Sequence, residues 1–222
     1  MKGYYARKIH SLLGVIPLSL FFIEHLITNF GAVEGGLEGF NKGVEFLNSL
    51  PLVFLMEMFL IWLPLLYHGV YGLYIAYQAE PNTGEYKYSR NWRYLLQRVS
   101  GVVTFVFVVW HVWGTRVQVG LGNIEYSDLG RVIHEIVINP WTFILYAIGA
   151  VAASYHFANG LWSFFVSWGI TVGPRSQRVS SYICMSLFVL VSVIFVWALV
   201  AFRDVEFATA SIIIESVKTV LI

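Results

Sequence analysis

Five apolar stretches of about 20 residues or more, separated by polar connectors, limit the fold of this chain more than any other feature. Inside a hydrocarbon layer near 30 Å thick every backbone N–H and C=O must be satisfied within the protein, so such stretches must be helices. The segments are Ile9–Phe30, Pro51–Gln78, Val99–Val119, Pro140–Trp168 and Val179–Phe202. Charged residues make up only 12% of the 222, against roughly 25% in soluble domains. A net charge of +1 with no basic block excludes nucleic acid as a partner. The expected fold is all-α: an integral membrane bundle of five helices forming a single domain over residues 1–222.

Pro17 and Pro64 fall inside spans, where neighbouring helices tolerate a kink. Gly31–Leu50, with five glycines, reads as a connector, as does Gly120–Asn139, and Pro81-Asn82-Thr83-Gly84 is a turn. Residues 203–222 form a tail in which Ala208–Ile222 reads as a short amphipathic helix lying on the membrane surface. MKGYYARKIH has the charge of a signal-peptide start. The apolar run behind it is too long for an h-region, so it is expected to remain as the first span. Cys184 is the sole cysteine, which excludes an intrachain disulfide and any cysteine-based zinc or iron–sulfur centre.

Positive residues set the expected orientation. Lys2, Arg7, Lys8, Lys87, Arg90, Arg93, Arg98, Arg175 and Arg178 fall on the N-terminal side, and Lys42, Arg116, Arg131, Arg203 and Lys218 on the other. Nine against five predicts a cytoplasmic N-terminus.

Four of the six histidines lie within spans, one in each of the first four: His25, His68, His111 and His156. An ionisable group in a span is costly and points to function. His25 lies five residues before Phe30 and His111 five before Arg116, so both sit roughly 8 Å from the outer boundary. His68 is 17 residues beyond Pro51 and His156 is 15 beyond Trp141, which puts both roughly 23–25 Å from that boundary. The four therefore form two levels. Spans one and three are diagonal in a simple four-helix arrangement, as are two and four, so each level receives ligands from opposite sides. Zinc would gather three or four ligands at one point, whereas two haems stacked across the layer fit two pairs. Gly72 and Gly160, four residues after His68 and His156, would leave room for a flat ring, and Gly14 and Gly101 lie near the inner level. His10, at the membrane edge, and His134, in the outer connector, have no partner at their depth.

Six-coordinate haem carries electrons and binds no oxygen, so two of them predict an electron path across the layer. The chain has no nucleotide fingerprint and no cysteine cluster, so one end needs a partner protein and the other a membrane quinone. Quinone chemistry needs polar, proton-exchanging groups. The candidates are Glu24, Thr28, Asn29, Glu57 and Arg116, of which Glu24 and Glu57 are the only carboxylates in the spans; Arg116 also suits a haem propionate.

Ile23-Glu24-His25-Leu26, Tyr67-His68-Gly69, Trp110-His111-Val112-Trp113-Gly114 and Tyr155-His156-Phe157-Ala158-Asn159-Gly160 resemble the di-haem cytochrome b anchor of succinate dehydrogenase and its relative in quinol:fumarate reductase. The likeness is nearest to the cytochrome b558 type of Gram-positive bacteria and extends from the N-terminus through the fifth span. It implies a subunit of respiratory complex II in a bacterial cytoplasmic membrane, with a flavoprotein and an iron–sulfur subunit docked on the cytoplasmic face. It also implies two haems b, the inner on His68 and His156 and the outer on His25 and His111, with menaquinone beyond. Dicarboxylate chemistry would lie in the flavoprotein, not in this chain. A glutamate serves menaquinol in fumarate-reducing relatives, and Glu57 and Glu45 are both candidates for its counterpart. The same subunit in a quinol:fumarate reductase, or the haem b subunit of a hydrogenase or formate dehydrogenase, is the alternative; the one-histidine-per-span pattern counts against the latter. A haem-free anchor or transporter subunit is the alternative from another class.

Overall fold

The computed structural model describes residues 2–204 together with 206 and 207, so the expected amphipathic helix Ala208–Ile222 lies outside the described residues. Those residues are helical with no strand, and five helices are long and apolar enough to cross a membrane: Gly3–Ser49, Val53–Tyr77, Ser89–Gly120, Pro140–Ser167 and Pro174–Ala201. Side chains such as Leu20, Ile27, Val106 and Ile183 on these helices are largely exposed. So much exposed apolar surface marks a contact with an apolar medium.

Each proline leaves a local mark. The first span bends at Ile16, where Lys2–Val15 gives way to Pro17–Ser49, and the Ser19 hydroxyl donates back to the Gly14 carbonyl at 3.0 Å. In the second span the missing N–H of Pro64 shifts the bonding ahead of it, and Glu57–Trp62 is a π-helical turn. Pro140 and Pro174 open the fourth and fifth helices, where the absent N–H costs nothing. Gly169, at φ +72°, closes the fourth helix: its N–H bonds Val166 and that of Ile170 bonds Phe165, the paired bonds of a Schellman turn.

Both expected connectors prove to be largely helical. Helix continues through residues 31–49, broken only at Gly35 and Gly36, where Gly36 has φ +57° and ψ −140°. Thr28 then meets Gly43 and Gly31 meets Gly39, so the second arm runs back across the first. These glycines permit close backbone approach, a use that their density in the sequence does not distinguish from a loop. In the segment read as an outer loop, Leu129–Ile138 is a helix that buries Gly130, Ile133, His134 and Val137, one face at helical spacing. Helices also begin earlier than hydropathy indicates, at Lys2, Ser89 and Pro174. Hydropathy marks the apolar zone, while hydrogen bonding carries the helix beyond it.

The chain divides into two compact units. The first comprises Met1–Glu24, Phe54–Val106 and Ala150–Ser192. At its polar end Lys8 Nζ donates to the Ser167 carbonyl at 2.8 Å, Arg90 to Gln177 at 2.7 Å, and Arg93 to Ser181 at 2.8 Å while lying over the Trp162 ring. The second comprises His25–Val53, Phe107–Gly149 and Val193–Ile222. Its described core gathers Ala32, Phe40, Ile133, Val137, Tyr146 and Phe202. His134 is buried there with Nδ1 2.8 Å from the Phe202 carbonyl, so it is an internal brace and not the partnerless residue expected from its place in the sequence.

Candidate functional site

His68 and His156 meet inside the first unit. Their ring centroids are 6.0 Å apart and their planes stand at 80°. Each is tied at Nδ1 to a backbone carbonyl of a facing helix, His68 to His10 at 2.9 Å and His156 to Gln97 at 3.1 Å. A neutral imidazole that donates from Nδ1 keeps the Nε2 lone pair free, which is the state a metal ligand requires. Gly14 and Gly101 press on these rings. A Cβ on Gly14 would collide with Cε1 of His68, and one on Gly101 would lie 2.8 Å from Cε1 of His156.

Two expectations fail at this place. His10 does have a partner: its ring stacks on that of His68 with centroids 4.1 Å apart and planes within 6°. The room left by Gly72 and Gly160 is taken by side chains, since a Cβ there would lie 3.1 Å from His10 Nε2 and 3.2 Å from Gln97 Nε2. A glycine one turn from a histidine clears space, but the sequence does not say for which neighbour.

His25 and His111 meet inside the second unit, with centroids 5.8 Å apart and planes at 74°. Phe107 stacks against His111 at 5.7 Å, Tyr146 meets it edge-on at 5.8 Å, and Phe195 lies 6.3 Å from His25. The backbone carbonyls of both histidines accept side-chain bonds from one turn on, from Asn29 at 2.7 Å and Thr115 at 2.6 Å. His111 Nδ1 and the Tyr146 hydroxyl are buried without a hydrogen-bond partner among the described residues.

These distances suit one metal atom between two imidazoles. A metal–nitrogen bond of about 2.0 Å on each side puts the ring centroids roughly 6 Å apart. Among the described residues no group of three or more His, Cys, Asp or Glu gathers as a site for a bare metal ion. Two ligands per centre leave the remaining coordination to a macrocycle, so the donor set fits haem better than zinc.

A profile of the succinate dehydrogenase/fumarate reductase transmembrane subunit family matches residues 76–196, more than half of the chain. The chain is also 47% identical over 201 residues to the succinate dehydrogenase cytochrome b558 subunit of Bacillus subtilis (strain 168), covering 90% of this chain and 98% of that one. The chain belongs to this family of membrane subunits. Membership in the succinate dehydrogenase/fumarate reductase family favours the anchor reading over the hydrogenase and formate dehydrogenase alternatives.

The residues named for quinone are not gathered in one unit. Glu24 and Glu57 belong to the first, and Asn29 and Arg116 to the second. Asn29 bonds the His25 carbonyl, the Arg116 guanidinium lies 5.6 Å from the Tyr126 ring centroid, and Glu57 opens the π-helical turn, a feature frequent at functional sites. The sequence does not single out Gln97, and it names His10 and Asn159 without the contacts they make here. A depth count along a straight helix puts His10 roughly 22 Å from His25, beyond the inner level, and only its stacking on His68 brings it into the site.

Proposed function

We propose that this chain is the haem-bearing membrane anchor of a bacterial succinate dehydrogenase, with His68 and His156 holding one haem b and His25 and His111 the other. The observation that carries the reading is the pair of histidine couples, 6.0 and 5.8 Å apart with nearly perpendicular rings, each contained in one compact unit. Family membership supports the complex to which the anchor belongs. Haem so bound would supply one-electron transfer between an iron–sulfur subunit docked on the cytoplasmic face and menaquinone in the bilayer.

The chain's own residues set the conditions for that transfer. His10 and Gln97 hold the inner imidazoles through Nδ1, and Phe107, Tyr146 and Phe195 surround the outer ones with apolar ring surface. The five helices keep the centres in the membrane, with the N-terminus and the basic ends of the spans facing the cytoplasm. We assign the quinone's proton exchange to Glu57, at the start of the π-helical turn of the second span, with Glu24 as the other carboxylate of the same unit. The flavoprotein subunit would carry out the dicarboxylate chemistry.

Purification from membranes in mild detergent tests this reading. A flavoprotein and an iron–sulfur protein should copurify with the chain, and succinate should reduce a b-type α-band in the preparation. A preparation free of b-type haem, or one that carries a nickel hydrogenase instead, would contradict it.

A further inference from the structure

On the reading that His156 is a haem ligand, we propose that Gln97 and Asn159 act together as a positioning clamp that fixes the ring plane of His156. Gln97 makes three contacts with that histidine. Its backbone carbonyl lies 3.1 Å from His156 Nδ1, its side-chain Nε2 donates to the His156 carbonyl at 3.0 Å, and the same Nε2 lies 3.2 Å from Nδ1. Asn159, three residues further on and on the same helical face, donates from Nδ2 to Gln97 Oε1 at 2.7 Å.

Asn159 decides which way the Gln97 amide faces. With Oε1 engaged by Asn159, the amide NH2 must point to His156. One of its hydrogens serves the His156 carbonyl, and the other faces Nδ1. A ring protonated at Nδ1 donates to the Gln97 carbonyl and leaves Nε2 free to ligate. A ring protonated at Nε2 instead has its bare Nδ1 met by the Gln97 amide. The clamp therefore holds the ring in one place in either tautomer, and metal capture requires a proton shift without a rotation of the ring. Second-layer partners of this kind orient ligands and tune the metal they bind.

The packing shows that the arrangement is built into the helix contact. Gly101, four residues after Gln97, receives the His156 ring, and Gly160, four residues after His156, receives the Gln97 amide. Each helix thus clears a glycine for the other's polar side chain. Asn159 is 2% exposed. A buried amide in a membrane helix is costly unless bonded, and the Asn159 Nδ2 donates to Gln97 Oε1 at 2.7 Å and, more distantly, to the Arg93 carbonyl at 3.4 Å. The mate of this histidine is held by other means, the carbonyl and ring of His10.

The test uses the purified complex with Gln97→Met, Asn159→Leu and the double variant, each close in volume to the native side chain. The readouts are haem per chain, the electron paramagnetic resonance line of each ferric haem, and each haem's midpoint potential. His156→Ala, measured alongside, checks the ligand reading separately: if it leaves both haems in place, that reading fails and takes the clamp with it. Given a His156-dependent haem, each single variant should shift the line and potential of that haem and leave the other's unchanged. The double variant should shift them no further than the stronger single, because both side chains act through one clamp. Unchanged lines in both singles, additive shifts, or equal shifts of both haems would overturn the proposal. If Asn159→Leu does not assemble, Gln97→Glu replaces it. That variant keeps an acceptor for Asn159 but loses the amide donor, and an unaltered line in it would also overturn the clamp.

Discussion

Replacing Gly101 with alanine would place a methyl carbon 2.8 Å from Cε1 and 3.1 Å from Nδ1 of His156. Carbon atoms rest about 3.5–4.0 Å apart, so something must move by roughly 0.7 Å or more. The ring cannot yield freely, because its Nδ1 is bonded to Gln97 and its backbone carbonyl accepts from the same residue. Overpacking of this kind costs about 1–3 kcal/mol, which corresponds to a loss of roughly 5- to 150-fold in affinity for whatever His156 ligates. The assay is a competition between the purified chain and a haem-scavenging protein, followed by the α-band and by haem per chain. Gly101→Ala should release one haem faster by a factor in that range and leave the other's release unchanged. Gly84→Ala, where nothing lies within 4 Å, should behave like the native protein. Equal loss of both haems, or loss of the one dependent on His25 and His111, would refute the assignment of Gly101 to the His156 ring.

Other expectations follow from single geometric features. Ring planes at 80° and 74° should give both ferric haems strongly anisotropic low-spin electron paramagnetic resonance signals, and the ordinary rhombic type of parallel imidazoles would contradict those angles. Gly36→Ala forces a side chain into φ +57°, ψ −140° and against Glu206, and should destabilise the chain by more than about 1 kcal/mol, read as a lowered thermal midpoint in detergent. An unchanged midpoint would count against the break at Gly35 and Gly36. Glu57→Gln should slow quinone reduction in the assembled complex while haem content and succinate-reducible haem stay constant. Quinone turnover at the native rate would remove Glu57 from the proton path.

The spans were readable because the hydrocarbon layer imposes one requirement on length and composition, and residues such as Leu20, Ile27 and Val106 meet it. The two histidine couples were readable because the helical rise turns residue counts into depth. His10 is not legible from the sequence because a count along a straight first span leaves it at the membrane edge, whereas its ring stacks on that of His68. Gln97 and Asn159 left no signal that periodicity can detect. Their meaning depends on which residues of the third and fourth spans face each other, and hydropathy does not encode that register. The segment 31–49 hid its helix behind glycines that serve close packing. Helix Leu129–Ile138, by contrast, carries a readable face in Gly130, Ile133, His134 and Val137, obscured only by its position between two spans.

Haem stoichiometry tests the central claim most directly. Haem b is measured per polypeptide in the purified native chain and in His156→Ala and His25→Ala. The account predicts two haems in the native chain and one in each variant, with the signal lost from His156→Ala being the one retained in His25→Ala. A native value of one haem or none, or the same haem lost from both variants, would contradict it.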